Sequence, residues 1–151
     1  MLQIRPYTPS DRDFLLSLAS RLLIGKQPWR DDQLWLQAVE GWLRGSIEQH
    51  NQKTTVFLAQ NEQGERLGFA TVSHSKHFTG QGQAYIGELA TDEGAEGQGV
   101  GTALVAACEQ WAREQGYVLL TLSTGAANSR ALNFYHRLGF HDEDVTLTKL
   151  L

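Results

Sequence analysis

One cysteine, Cys108, is all that the 151-residue chain contains, so it has no disulfide framework. No apolar run approaches the ~20 residues of a membrane-spanning helix, and the first residues lack the apolar core of a signal peptide. We therefore expect a cytoplasmic protein without a membrane partner. Cys108 falls on the apolar face of a predicted helix, which favours a buried small side chain over a nucleophile.

Positive charge is also scarce. The chain has 13 Lys and Arg against 17 Asp and Glu, a net charge of −4. Nucleic-acid binding would require a basic surface, so we expect no nucleic-acid partner. A mildly acidic protein is compatible with a cationic substrate such as an amine. The length suits a single domain over residues 1–151, which can bury a hydrophobic core large enough to need no disulfide or structural metal.

Hydrophobic periodicity predicts the order β-α-α-β-β-β-α-β-α-β, an α+β domain with a mixed central sheet and four helices. In the second helix, Trp35 and Trp42 are seven residues apart and are predicted to face the sheet. The apolar run 117–123 is typical of a central strand covered on both faces. The predicted strands are 2–7, 54–60, 66–74, 83–91, 117–123 and 145–150, and the predicted helices are 10–22, 31–50, 99–115 and 129–138.

The stretch Glu96 to Gly101, Glu-Gly-Gln-Gly-Val-Gly, separates a predicted strand from a predicted helix. Glycine lets a ligand approach the main chain, and a helix start offers unpaired N–H groups to an anion. This pattern predicts a phosphate site, and the alternative is a tight turn without a ligand. A Walker loop would need a lysine here, and a dinucleotide loop would need glycine where Thr102 or Leu104 stands.

Residues 85–140 resemble the GNAT superfamily of N-acetyltransferases. Its coenzyme A signature is Arg or Gln, two residues, Gly, one residue, then Gly or Ala, and it falls on Glu96, Gly99 and Gly101. A second family motif matches 128–140, Asn-Ser-Arg-Ala-Leu-Asn-Phe-Tyr-His-Arg-Leu-Gly-Phe. The resemblance implies the GNAT (acyl-CoA N-acyltransferase) fold, with acetyl-CoA as co-substrate and no metal.

The resemblance also implies where the coenzyme lies. Its pantetheine arm would pair with the strand ending at Thr91, and a β-bulge near that residue would help the strands diverge. Glu96 departs from the pattern and puts a carboxylate beside the expected diphosphate. Arg137 matches a basic residue near the adenosine 3′-phosphate, whereas Arg130 is expected to be a solvated helix charge. The implied coenzyme-binding residues are Leu89, Ala90, Thr91, Glu96, Gly97, Gln98, Gly99, Val100, Gly101, Thr102, Asn128 and Arg137.

Two residues are predicted to be catalytic. Tyr135 matches the family position that protonates the departing thiolate, and its alternative role is a core aromatic. An amine with a pKa of ~10.4 is mostly protonated at neutral pH, so a general base is needed. Glu88, on the strand that precedes the thioester segment, is the candidate base, with a structural carboxylate as the alternative and His74 as the second candidate.

The acceptor pocket of this family lies against the loop between the two early helices. Trp29 could stack on a cationic amine, and Asp31 could pair with that amine or cap the second helix. His74 and Phe78 are further acceptor candidates. We expect direct attack by a primary amine of a small cationic acceptor, or of a peptide, on acetyl-CoA in a ternary complex.

The sequence leaves other interpretations open. One is a catalytically silent acyl-CoA-binding module, for which Glu96 is the motivation, and another is a nucleotide-dependent enzyme. Strand edges near the C-terminus would allow a homodimer.

Overall fold

Five strands form one mixed sheet in the computed structural model, which describes residues 1–151. They lie in the spatial order β1-β2-β3-β4-β5, with β4 and β5 parallel and the other neighbours antiparallel. The strands are β1 (Gln3–Pro6), β2 (Thr54–Gln60), β3 (Arg66–Lys76), β4 (Gly82–Thr91) and β5 (Leu120–Leu122), and the helices are α1 (Arg12–Ser17), α2 (Asp32–Glu48), α3 (Val100–Glu114) and α4 (Ser129–Arg137). The predicted α+β class is confirmed. None of the helices has the length and apolar character needed to cross a bilayer.

The helices bury two hydrophobic clusters on opposite faces of the sheet. α3 packs on one face through residues that include Leu104 and Cys108, and α1 and α2 pack on the other. On α2 the buried stripe is Val39, Leu43 and Ile47, spaced by four residues. Trp42 lies about 100° around the helix from the centre of that stripe and is 66% exposed, so its predicted burial was wrong. Trp35 is half-buried against the cluster.

The predicted helix 10–22 is divided in the structure. A 3-10 turn (Pro9–Asp11) precedes α1, and a second one (Ala19–Leu23) follows it. Thr8 is the N-cap of the first 3-10 turn, and the Asp11 carboxylate turns back and accepts the Thr8 N–H at 2.8 Å. Asp11 is fully buried and also accepts hydrogen bonds from Arg5 and Arg66, each at 2.8 Å. This carboxylate therefore joins the start of the chain to β3.

Asp11→Asn is expected to lower the free energy of unfolding by about 2 kcal/mol, because it removes the charge that both arginines share. Burial alone would raise the pKa of Asp11, but hydrogen bonds from Arg5, Thr8 and Arg66 hold it well below its usual range. The stabilisation is thus present above the ordinary carboxyl pKa and disappears as pH falls through the folded-state value.

Thermal unfolding at several pH values tests this prediction. The melting temperature should fall by about 4–8 °C at neutral pH, and the two proteins should converge in strong acid. Asp13→Asn, at an exposed neighbour on α1, is the matched control and should melt like the native chain. A neutral-pH shift no larger than that of the control would contradict the structural role of Asp11.

The C-terminal part of the sheet differs from the prediction. β5 covers only 120–122 instead of 117–123, and it stands at the sheet edge with Val118 84% exposed. The predicted strand 145–150 is absent, since residues 141–151 have no regular secondary structure. Alternating apolar residues give a strand preference, but a strand gains hydrogen bonds and burial only when another strand pairs with it.

Candidate active site

A cleft opens where β4 and β5 separate. The two strands pair only between residues 84–86 and 120–122, and β4 continues alone to Thr91. A cavity of about 410 Å³ lies beyond this point, bounded by β4, the start of α3 and α4. All but one of the predicted coenzyme residues line it: Leu89, Ala90, Thr91, Glu96, Gly97, Gly99, Val100, Gly101, Thr102, Asn128 and Arg137. The exception is Gln98, whose side-chain amide donates to Gly94 O at 3.4 Å.

The loop before α3 presents free N–H groups to this cavity. Gly97 and Gly99 have φ values of +78° and +79°, which side chains with a Cβ rarely adopt. The first helical hydrogen bond runs from Ala103 N to Gly99 O at 3.1 Å. The N–H groups of residues 100–102 therefore have no acceptor within the protein, and they lie at the positive end of the helix dipole. This arrangement suits a phosphate group.

A β-bulge interrupts the pairing of β3 with β4. The register changes between Ala70 and Val72, so that Gly87 and Glu88 both lie opposite Thr71. The predicted bulge near Thr91 was therefore misplaced, because that residue pairs regularly with Gly68. The Glu88 N–H, which the bulge removes from the ladder, donates to Thr71 Oγ1 at 2.9 Å.

The Glu88 side chain is held on both oxygens. Thr71 Oγ1 donates to Oε2 at 2.9 Å, and Ser46 Oγ of α2 donates to Oε1 at 2.7 Å. Glu88 is 7% exposed, and burial raises the pKa of its carboxyl, although the bonds from Ser46 and Thr71 oppose the rise. It does not line the cavity itself, but the next residue, Leu89, does. The carboxylate thus lies between β4 and α2, one residue before the part of β4 that lines the cavity.

Tyr135 lines the cavity from α4. The α4 side chains that make hydrogen bonds are Arg130 and His136, so the Tyr135 hydroxyl has no partner within the protein. Its ring packs edge-on against Phe134 and Phe140, at centroid distances of 5.1 and 5.6 Å. Burial raises the pKa of Tyr135 to about 12, so the phenol stays protonated at physiological pH. Cys108, behind it, is buried, and burial raises the pKa of its thiol to about 12, which agrees with a packing role.

Asn128 joins two segments at the mouth of the cleft. Its Oδ1 accepts the Ala131 N–H at 3.1 Å and caps α4, while its Nδ2 donates to Ile24 O at 3.4 Å. A Cβ on Gly25 would lie 2.4 Å from the Asn128 Cβ, so only glycine allows this approach. The segment before α2 therefore rests against the segment before α4.

Two of the predicted acceptor residues, Trp29 and Asp31, lie in the loop before α2, and the other two lie on the β3-β4 hairpin. Trp29 is 42% exposed in a shallow hollow of the 26–33 loop, whereas Asp31 accepts the Leu34 N–H at 2.8 Å and caps α2. His74 does not agree with the prediction, because its ring packs against Trp111 of α3, at a centroid distance of 4.9 Å, on the face opposite α2. Phe78 does not agree either, since it is 91% exposed in the β3-β4 turn, far along the hairpin from Ala90.

Two arginines pair with Glu96 in the structure. The sequence analysis assigned no role to Arg21 and expected Arg130 to be a solvated charge. Arg21 Nη2 pairs with Glu96 Oε1, and Arg130 Nη1 pairs with Glu96 Oε2 at 3.0 Å. Both hydrogen bonds lower the pKa of Glu96 below its usual value, and the one from Arg130 has the larger effect. No local pattern could predict the pair with Arg21, because 75 residues separate it from Glu96.

The sequence profile of the acetyltransferase (GNAT) family matches residues 14–140. This match and the fold define the protein as an N-acetyltransferase. The chain is 32% identical over 129 residues to an aminoglycoside N(6′)-acetyltransferase type 1 of Klebsiella aerogenes, covering 73% of this chain and 83% of that protein. The chain belongs to the acetyltransferase (GNAT) family.

Other similarities are more partial or concern the fold alone. A 62-residue segment is 37% identical to an uncharacterized N-acetyltransferase of Methanocaldococcus jannaschii, and spans 41% of this chain but only 27% of that protein. A putative acetyl transferase from Pyrococcus furiosus superposes with a TM-score of 0.80 at 20% identity, over 100% of both chains. The expected GNAT fold is thereby confirmed.

Proposed function

We propose that the protein transfers the acetyl group of acetyl-CoA to a primary amine of a small cationic acceptor. The observation that carries this proposal is the cavity itself, where the free N–H groups of residues 100–102 and the unpaired Tyr135 hydroxyl face the same space. The N–H groups suit a diphosphate as ligand, and the Tyr135 hydroxyl suits proton donation to a leaving thiolate.

The cleft also offers a place for the rest of the coenzyme. Between Leu89 and Thr91, β4 has lost β5 as a neighbour, so an extended pantetheine arm could pair there like an added strand. Acetyl-CoA supplies an activated acyl group as a thioester. The protein's part is to orient that group and exclude water from it.

Glu88 is the proposed general base, acting directly or through a water. Its raised pKa makes it a stronger base than an ordinary carboxylate, and Ser46 and Thr71 fix its orientation. The amine nitrogen loses a proton toward Glu88 as it forms a bond to the acyl carbon. The carbon–sulfur bond then breaks, and the Tyr135 hydroxyl donates its proton to the sulfur. A backbone N–H near Leu89 and Ala90 is the proposed donor to the acyl oxygen.

The acceptor is proposed from two facts. The Klebsiella aerogenes relative is named an aminoglycoside N(6′)-acetyltransferase, which supports a small polyamine-like sugar as acceptor. Trp29 offers an exposed ring to a cation, whereas Asp31 is already used as a helix cap. We therefore keep Trp29 in the proposed acceptor site and exclude His74 and Phe78 from it.

Gly99→Ala tests the phosphate loop. Native protein should bind coenzyme A, which raises its melting temperature, and Gly99→Ala should weaken this affinity about tenfold, or about 1.4 kcal/mol. An alanine at φ +79° strains the cap and turns the N–H groups of 100–102 away. Calorimetric titration with coenzyme A measures the change.

Gly64→Ala is the matched control, because Gly64 has φ +78° and open surroundings but lies in the β2-β3 turn. It should lose similar stability and keep the native affinity. Equal affinities in both variants would contradict the loop as the phosphate site.

Thiol release from acetyl-CoA across a panel of amines separates the enzyme from its main rival. Turnover with any amine excludes the silent acyl-CoA-binding module. Tight binding of acetyl-CoA without turnover on any amine would favour that module instead. Stabilisation by a nucleotide but not by coenzyme A would favour a nucleotide-dependent enzyme.

A further inference from the structure

The carboxylate of Glu96 lies between two arginines from opposite walls of the cleft. Arg21 comes from the segment before α2, and Arg130 comes from the first turn of α4. Arg21 is fixed a second time, since its Nε donates to Thr91 O at 3.2 Å. The Arg21 side chain is only 23% exposed, so it is part of the cleft wall rather than a free surface charge.

The charge balance of the cavity is opposite to that of the chain. Three arginines line it, Arg21, Arg130 and Arg137, against the one carboxylate of Glu96. The whole chain carries a net charge of −4. A local positive excess in an acidic protein indicates that this part of the cleft binds an anion.

The two arginines keep donors free after they bind Glu96. Arg21 Nη1 makes no hydrogen bond, and Arg130 uses only Nη1. A guanidinium has five N–H donors in a rigid fork that matches phosphate oxygens. One carboxylate can therefore hold both groups in place and still leave them able to bind a ligand.

We propose that Arg21 and Arg130 bind the phosphate groups of the coenzyme, and that Glu96 is the positioning residue that holds both guanidinium groups at the mouth of the cleft. This inference rests on the proposed function, because it takes coenzyme A as the ligand. It assigns to the pair Arg21 and Arg130 the role that a single Arg or Gln at position 96 would have. Glu96 then supports phosphate binding instead of opposing it.

The competing explanation is a structural bridge that only ties α4 to the segment before α2. Such a bridge would change the melting temperature and leave the affinity for coenzyme A as it is. A phosphate-binding pair would change the affinity, and would also change its dependence on salt. Affinity and stability therefore distinguish the two explanations.

Calorimetric titration with coenzyme A is the test, on Arg21→Gln and Arg130→Gln at several salt concentrations. Each variant should raise the dissociation constant about tenfold, as expected for the loss of a charge-assisted hydrogen bond. The difference from native protein should shrink at high salt. Arg113→Gln is the matched control, because Arg113 lies on α3, its side chain is 68% exposed and its guanidinium pairs with Glu109, away from the cavity. It should bind coenzyme A like the native chain.

Glu96 is tested by a double-mutant cycle with Arg130. In a Glu96→Ala background, which removes the group that Arg130 pairs with, Arg130→Gln should raise the dissociation constant by less than about threefold, because Arg130 is no longer held in position. A full tenfold loss in that background would overturn the positioning role of Glu96. Native affinity in both single arginine variants would overturn the whole inference. Failure of the native chain itself to bind coenzyme A would instead overturn the proposed function.

Discussion

The Glu88→Gln variant is expected to lose about 10³-fold in kcat, since a positioned general base contributes 10²–10⁴-fold. Glutamine keeps the shape of the side chain and can still pair with the hydroxyls of Ser46 and Thr71, but it cannot accept a proton. Steady-state kinetics at saturating acetyl-CoA and amine measure the loss. A kcat within a few-fold of the native value would remove Glu88 from the mechanism.

The stability of the same variant is the internal control. Burial raises the pKa of Glu88, which means that its ionised form destabilises the folded state as pH rises through that pKa. At neutral pH, Glu88→Gln should therefore melt no lower than the native chain. A large loss of kcat without a loss of stability would assign the effect to chemistry.

The pH profile gives an independent test of Glu88. Only its ionised form can act as a base, so kcat should fall in acid, at a pH above the ordinary carboxyl value of 4.5. The hydrogen bond from Ser46 opposes the raised pKa, so Ser46→Ala should move this decline to still higher pH. Ser17→Ala is the control, because Ser17 is exposed and bonds only to Phe14 O. An unshifted profile in Ser46→Ala would contradict the assignment.

The sequence alone was sufficient to predict those parts of the site whose structure depends on neighbouring residues. The glycines of the α3 loop allow positive φ values at Gly97 and Gly99, and the helix start has no capping side chain; both features follow from six adjacent residues. The N-cap roles of Asp31 and Asn128 likewise depend on the three residues that follow each of them. Eleven of the twelve predicted coenzyme residues consequently line the cavity.

Contacts between distant segments could not be predicted in this way. The hydrogen bond between Arg21 and Glu96 joins residues that are 75 positions apart in the sequence, and the one between Ser46 and Glu88 joins residues 42 positions apart. His74 was predicted as the second candidate base, at the end of a strand, and as an acceptor residue, but the parity of its position on β3 turns it toward α3. A single sequence gives the elements and their exposed faces approximately, but not which side chains meet across them.

Tyr135→Phe is expected to lower kcat about 10²-fold with little change in the KM for acetyl-CoA. Phenylalanine preserves the edge-on packing against Phe134 and Phe140 and removes only the hydroxyl. Since that hydroxyl takes no part in the side-chain hydrogen bonds of α4, its loss leaves no other group unpaired. The effect should therefore appear in catalysis rather than in folding, and steady-state kinetics with thermal unfolding separate the two.

Tyr117→Phe is the matched control for this variant. The Tyr117 hydroxyl pairs with His74 Nδ1 at 2.6 Å, away from the cavity, so its removal should leave kcat unchanged. Because burial raises the pKa of Tyr135 to about 12, the native enzyme should also keep its activity through the moderately alkaline range without a decline from this group. A native kcat in Tyr135→Phe would mean that the thiolate leaves without a proton from Tyr135. The Tyr135 hydroxyl would then line the cavity without a role in catalysis.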